Sequence, residues 1–284
     1  MNVLLTGGDS FTGKYIKELL RYKKIDFYEL KSDLRNPKSL DHELSEIDFT
    51  DVIHLAGLSS ITAPNIKSYY DINTTGTLNL LEICKGKNFA KFIFASTANM
   101  YGGTEKIISE STPVSIKNHY SMSKYLAENI FKLYKDFFKV IIVRPFNYTG
   151  VGQSNKFVIP KIIEHFVKQK KTINLGNIDV FREFNDVRYV SQCYIDLLES
   201  DKQIDVVNIC SGNVYSIREV LDILYKITNH SINVKIDNKL CRKNEIELLK
   251  GDPGCINKII KCKNYSFTDT LSWMLSEHGT QNNI

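Results

Sequence analysis

The N-terminal stretch constrains the fold of this chain more than any other. Asn2-Val3-Leu4-Leu5 is a short apolar run of strand character. It passes directly into Thr6-Gly7-Gly8-Asp9-Ser10-Phe11-Thr12-Gly13 and then into an amphipathic stretch from Lys14 to Arg21. The first amides of a helix have no intrahelical acceptor, and its dipole favours an anion in front of them. Strand, glycine-rich turn and helix start, in that order, make a cradle for a dinucleotide's pyrophosphate. Gly7 permits the tight turn, and Gly13 lets helix and strand pack closely. The alternative is an ordinary glycine turn, against which the position and order of these elements argue.

Apolar runs at 3–5, 27–30, 52–55, 92–95 and 140–143 alternate with helical periodicity at 13–21, 37–44, 66–85 and 120–137. Pro37 after Asn36 fits a capped helix start. The alternation predicts an α/β fold, a Rossmann-type doubly wound parallel sheet with right-handed crossovers. The second half is less regular, with helices expected at 158–170, 217–227 and 267–275 and a return strand at 206–209. The expected organisation is a dinucleotide-binding core over 1–150 with a return segment near 183–210. A smaller C-terminal lobe, 151–182 and 211–284, would cover the strand ends and take the substrate.

Composition excludes several other classes. The chain has no apolar run of membrane-spanning length, and a strand beginning at Asn2 leaves no room for a leader. Its six cysteines show no Cys-x-x-Cys spacing and read as reduced thiols, without disulfides or a metal. A cytoplasmic protein with no membrane partner is expected. The net charge of +5 is scattered, unlike the concentrated basic face of a nucleic-acid binder. Lys168-Gln169-Lys170-Lys171 reads as a solvated helix end. The weak positive balance suits an anionic diphosphate.

Tyr120-Ser121-Met122-Ser123-Lys124 carries the chemistry. Residues four apart share one helix face. An ammonium ~4 Å from a phenol, at an effective dielectric of ~20, would favour the phenolate by ~4 kcal/mol, or ~3 pKa units. That would place Tyr120 where a general acid–base is useful.

Glycine turn and Tyr-x-x-x-Lys together resemble the extended short-chain dehydrogenase/reductases, the family of nucleotide-sugar epimerases, dehydratases and reductases. The likeness covers nearly the whole chain. Ser10 departs from it, standing where the middle glycine is usual. It adds a Cβ near the pyrophosphate, and a hydroxyl that can donate to it. The resemblance assigns cofactor contacts to Gly7, Asp9, Ser10, Phe11, Thr12 and Gly13. It assigns more to Leu55, Ala56 and Gly57 after the third strand, to Tyr120 and Lys124, and to Pro145. His54 reads as a packed core histidine, and Asn73 as a support for neighbouring backbone.

In Phe92-Ile-Phe-Ala-Ser-Thr-Ala-Asn-Met-Tyr-Gly102 a buried strand ends in hydroxyls. The family's second hydroxyl, here Thr97, bonds the reacting carbonyl. Dehydratases of the family carry an Asp-Glu pair next, where this chain has Ala98-Asn99. A methyl and an amide cannot carry out that elimination. The cysteine of the double-epimerising synthases is missing too. On the substrate side the resemblance places Leu58, Thr97, Asn99 and Tyr120, and Asn147 of Arg144-Pro-Phe-Asn147. It also places Arg182 of Arg-Glu-Phe, and Arg242 with Glu245. The arginines would clamp a diphosphate, whose oxygens match their planar fork.

Finer matches, such as Asn118-His119-Tyr120 and residues 144–153, resemble bacterial 4-keto-6-deoxyhexose reductases, most nearly those forming dTDP-6-deoxytalose or dTDP-fucose. The resemblance implies NAD(P)H-dependent reduction at C4 of a nucleotide-activated 4-keto-6-deoxyhexose, dTDP-linked, in deoxysugar and O-antigen lipopolysaccharide biosynthesis. Tyr120, Lys124 and Thr97 would be the catalytic residues. Alternatives are a nucleotide-sugar 4-epimerase and a non-catalytic nucleotide-sensing or RNA-binding relative. The cofactor is expected to be NADPH or NADH, NADPH somewhat preferred. Glu29 at the end of the second strand would repel a 2′-phosphate but is expected along the strand's flank. Lys31 and Ser32 would receive that phosphate, and Asp33 and Leu34 would contact adenine. A homodimer is expected through the helices at 66–85 and 120–137, with Tyr69, Tyr70, Leu78, Leu81, Ile130, Phe131 and Tyr134 beyond one face.

Overall fold

The computed structural model describes residues 1–59, 65–103, 106–241, 246–260, 262 and 264–281. Its central sheet holds β1 (Asn2–Thr6), β2 (Asp26–Glu29), β3 (Asp51–His54), β4 (Lys91–Ala95), β5 (Lys139–Pro145) and β6 (Val206–Ile209). The strand order is β6-β5-β4-β3-β1-β2, and every pairing is parallel. Alternate residues of a strand face opposite sides. Leu5, Ile53 and Ile93 meet Ile16 and Leu20 of α1 (Phe11–Tyr22) and Val190 and Leu197 of α7 (Val187–Glu199). Leu4, Val52, Phe92 and Phe94 meet Leu40 of α2 (Pro37–Ser45), Leu80 of α4 (Thr77–Cys84) and Phe131 of α5 (His119–Lys132). Cover on both faces explains why these strands read as unbroken apolar runs.

A third core lies outside the sheet. It joins α6 (Val158–Val167), α8 (Ile217–Thr228) and α9 (Phe267–Gln281) to the paired strands Thr172–Leu175 and Asn233–Ile236. Between that region and α9 the chain returns to the sheet, where Ile256 is fully buried in the first core.

Two elements differ from the sequence expectation. Helix α7 was not anticipated: it is buried around most of its circumference, including Tyr189, Ser191, Cys193 and Tyr194, so no polar stripe marks it. The helix expected over 66–85 is instead α3 (Ile66–Tyr69), a π-helical turn over Tyr70–Gly76, and α4. π-Turns concentrate at functional sites, and this one carries Asn73.

Among the described residues no helix is long and apolar enough to cross a membrane. No group of three or more His, Cys, Asp or Glu among them is placed to hold a metal ion.

Candidate active site

Strands β1, β3, β4 and β5 end at one edge of the sheet, where an open α/β fold binds its ligands. Gly7 has φ +71°, and a Cβ on it would lie 2.7 Å from the Ala56 amide nitrogen. A Cβ on Gly13 would lie 2.3 Å from the Gly7 carbonyl oxygen. Both positions demand glycine, because the turn packs directly against the Leu55–Ala56 backbone and the start of α1 against the turn. Ser10 caps that helix, its Oγ accepting from the Gly13 amide at 3.1 Å, and its own proton stays available to a phosphate oxygen. Phe11 stacks on Tyr148 with ring centres 6.0 Å apart, and the Thr12 and Tyr148 hydroxyls are 2.7 Å apart.

His54 latches this turn from below. Its Nδ1 lies 2.6 Å from Thr6 Oγ1 and its Nε2 3.0 Å from Thr77 Oγ1, while the Ala56 amide donates to Thr6 Oγ1 at 3.1 Å. Burial, then the charge of Lys124, lowers its pKa to about 3. His54 is thus a neutral core residue, as its setting in the strand suggested. The Leu55–Gly57 turn leads to Leu58, whose amide donates to Asn73 Oδ1 at 2.7 Å and whose carbonyl accepts from Asn73 Nδ2 at 3.1 Å. A Cβ on Gly57 would sit 2.7 Å from Asn73 Oδ1 and 3.0 Å from Lys124 Nζ. This glycine leaves the space in which the two side chains converge.

Tyr120 and Lys124 are both buried on α5. Lys124 Nζ donates to the Ala95 carbonyl at 2.9 Å and lies 4.9 Å from the centre of the Phe94 ring. Burial lowers its pKa to about 8, against the favourable charge of Glu128. Thr97, also buried, follows the end of β4. Burial raises the Tyr120 pKa to about 12, and the nearby Thr97 hydroxyl only partly offsets this. The expected depression of the phenol by Lys124 is therefore corrected: desolvation dominates, and the ammonium is spent on the Ala95 carbonyl. Tyr120 is a protonated phenol at neutral pH, the form that can donate.

At the other end of the cradle, the expectation for Glu29 is also corrected. Its carboxylate folds over Gly8, where a Cβ would lie 2.6 Å from Glu29 Oε1, rather than along the strand's flank. Lys17, which also pairs with Asp9 at 3.1 Å, reaches Glu29 at 3.0 Å, and Lys31 reaches it at 3.2 Å. The amides of Lys31 and Ser32 donate to Glu43 at 2.8 and 2.7 Å, and the Ser32 hydroxyl donates to the Ser39 carbonyl at 3.1 Å. Asp33 is bonded to Arg35, which holds its pKa at about 2. Leu34 packs against Gly76.

On the substrate side, Pro145 ends β5. The Asn147 carbonyl accepts from the Asn185 amide at 2.9 Å. Arg182 is buried, its Nη1 donating to the Phe181 and Glu247 carbonyls at 2.8 and 3.2 Å and its Nη2 to the Ile246 carbonyl. Two nitrogens of the expected diphosphate clamp thus hold the neighbouring strand. Arg242 and Glu245 lie outside the described residues. Of the apolar residues expected beyond one helix face, Tyr69, Leu81, Phe131 and Tyr134 are buried in this chain's own core. Tyr70 and Ile130 are half-buried and Leu78 is exposed; Ile66, Met122, Leu126 and Leu133, which were not among the expected residues, are exposed nearby.

Sequence reading gave no role to the network behind the site. Glu128 takes Arg144 in a two-pronged bond, Nε to Oε1 at 2.9 Å and Nη2 to Oε2 at 2.6 Å. Arg144 Nη1 donates to the Tyr101 hydroxyl at 2.8 Å, which donates to Asn208 Oδ1 at 2.9 Å. The signal was a carboxylate one turn beyond Lys124 on the same buried face.

The family model for GDP-mannose 4,6 dehydratase matches residues 9–274. The chain is 36% identical over 276 residues to GDP-6-deoxy-D-talose 4-dehydrogenase of Aggregatibacter actinomycetemcomitans, covering 94% of each chain. It is 30% identical over 266 residues to GDP-6-deoxy-D-mannose reductase of Pseudomonas aeruginosa, covering 88% of this chain and 87% of that one. Among solved structures, RMD from Pseudomonas aeruginosa with NADPH superimposes with a TM-score of 0.88 at 28% identity, over 99% of this chain and 98% of that one. Thermus thermophilus UDP-glucose 4-epimerase with NAD shares the fold, with a TM-score of 0.87 at 22% identity over the whole of both chains. The chain belongs to the GDP-mannose 4,6 dehydratase family, among the NAD(P)-dependent enzymes of the extended short-chain dehydrogenase/reductase fold.

Proposed function

We propose that this protein reduces the C4 keto group of a nucleotide-activated 4-keto-6-deoxyhexose. The observation that carries the reading is the meeting of Thr97, Tyr120 and Lys124 at the edge that holds the glycine cradle, with Ala98-Asn99 where elimination would need two carboxylates. The turn fits a dinucleotide, since it leads into the N-terminus of α1, whose first amides suit a pyrophosphate. Such a cofactor, NADPH or NADH, supplies the hydride. Tyr120 gives its proton to the sugar's C4 oxygen, Thr97 donates a hydrogen bond to the same oxygen, and Lys124 holds the cofactor's ribose. Asn147 and Arg182, with Arg242 and Glu245 as the family resemblance implies, take the nucleotide diphosphate.

The names of the two relatives support GDP as the carrier rather than the dTDP expected from sequence. Glu29 over Gly8, balanced by Lys17 and Lys31, supports use of both cofactors and weakens the case for favouring NADPH. The test is incubation with GDP- and dTDP-4-keto-6-deoxyhexoses and either cofactor, with the product sugar identified by NMR. Stoichiometric cofactor consumption and a C4 alcohol are expected. Interconversion of sugars with no net consumption would replace the reductase by an epimerase.

We further propose a homodimer through α3, α4 and α5, where Ile66 is 53% and Leu133 74% exposed. Light scattering at micromolar concentration should give twice the 32.6 kDa of one chain. A monomer mass would remove the proposal.

A further inference from the structure

The hydroxyl of Thr97 has one proton and two lone pairs. Both lone pairs are occupied from within the chain. Thr97 caps the short 3-10 turn Ala98–Tyr101, its Oγ1 accepting from the Asn99 amide at 3.2 Å. The Asn99 side chain adds a second donor, Nδ2 to the same Oγ1 at 3.2 Å. Thr97 is 3% exposed, so water does not compete for these positions. The one valence left is its own O–H, which the proposed mechanism directs at the reacting oxygen.

We infer that Asn99 is a positioning residue that fixes Thr97 as an obligate donor toward the reacting oxygen. The inference rests on the reductase reading of the site and adds a role for the residue standing where the dehydratases have an acid. A carboxylate here would invert the bond. It has no proton to give, so it would accept the Thr97 O–H and turn it away from the substrate. An amide keeps the hydroxyl aimed at the charge that develops on oxygen.

The test is the pH profile of kcat for Asn99→Asp, beside wild type, Thr97→Val and Asn99→Ala. Below the pKa of the new carboxyl group, its neutral form can still donate to Thr97, and kcat should stay within a few-fold of wild type. As pH rises through that pKa, kcat should fall ~10- to 100-fold, toward the Thr97→Val value, as expected for one lost bond to developing charge. Asn99→Ala retains the backbone donor and should lose less, with no new titration. Cofactor binding followed by NADPH fluorescence should be unchanged in every variant, which separates orientation from misfolding. An Asn99→Asp profile parallel to wild type, with Thr97→Val impaired, overturns the inference and leaves the reductase reading intact. Failure of the wild type to reduce any 4-keto-6-deoxyhexose overturns both.

Discussion

Replacing Tyr120 with Phe should lower kcat by ~10²–10⁴-fold, the contribution typical of a positioned general acid. The ring is buried, with Tyr69 at 6.2 Å, and Phe keeps that packing, so the melting temperature and cofactor affinity should hold. Lys124→Met should instead weaken cofactor binding, and slow turnover chiefly at subsaturating cofactor, because the proposed role of Lys124 is to hold the cofactor's ribose. The pH dependence separates the two groups. In the free enzyme Lys124 loses its proton near pH 8, so cofactor affinity should decline above that value. Tyr120 remains protonated there. A Tyr120→Phe enzyme with wild-type turnover at pH 7 would falsify the proton-donor role and leave only the fold assignment.

The second large effect is on stability. Glu128→Ala leaves the Arg144 guanidinium uncompensated in the interior, where Glu128 is 0% exposed and its side chain supplies both prongs of the bond. Breaking a buried pair from one side costs ~3–5 kcal/mol. For a chain of this size the melting temperature should drop by on the order of 10 °C. Replacing both partners with Met should recover most of that loss, since the removed charges no longer need solvation. The pair also bolts α5 to β5, one turn below Lys124. Any activity loss in Glu128→Ala should therefore exceed what its folded fraction explains. Equal melting temperatures for wild type and Glu128→Ala would mean that the ion pair contributes nothing to the fold.

The central sheet was legible because each strand is covered on both faces and each early helix has one polar side. α7 was not, because a helix buried on nearly all sides has no periodic signature. The glycine turn and the 120–124 pair were legible as spacing, and the structure brings them to one sheet edge with Thr97. The ionisation of Tyr120 was not legible, because a pair energy read from spacing omits desolvation. Here desolvation wins, and the direction of the Lys124 ammonium removes the rest. Glu29 shows the same limit. Its type and position were visible in the sequence, but its rotation over Gly8 is set by Lys17 and Lys31 and appears only in three dimensions.

The return of the chain to the sheet at Ile256, between the third core and α9, bears on how such a protein can be re-engineered. The part around the third core is not a cassette. It is assembled from separate stretches, and the link between two of them is buried in the first core. A fragment ending near residue 150 would lack α7, β6 and Ile256, leaving α1 as the cover of that face of the sheet. Exchanging the part around the third core with a relative therefore needs several crossover points, chosen so that the Ile256 segment stays with the sheet it seals.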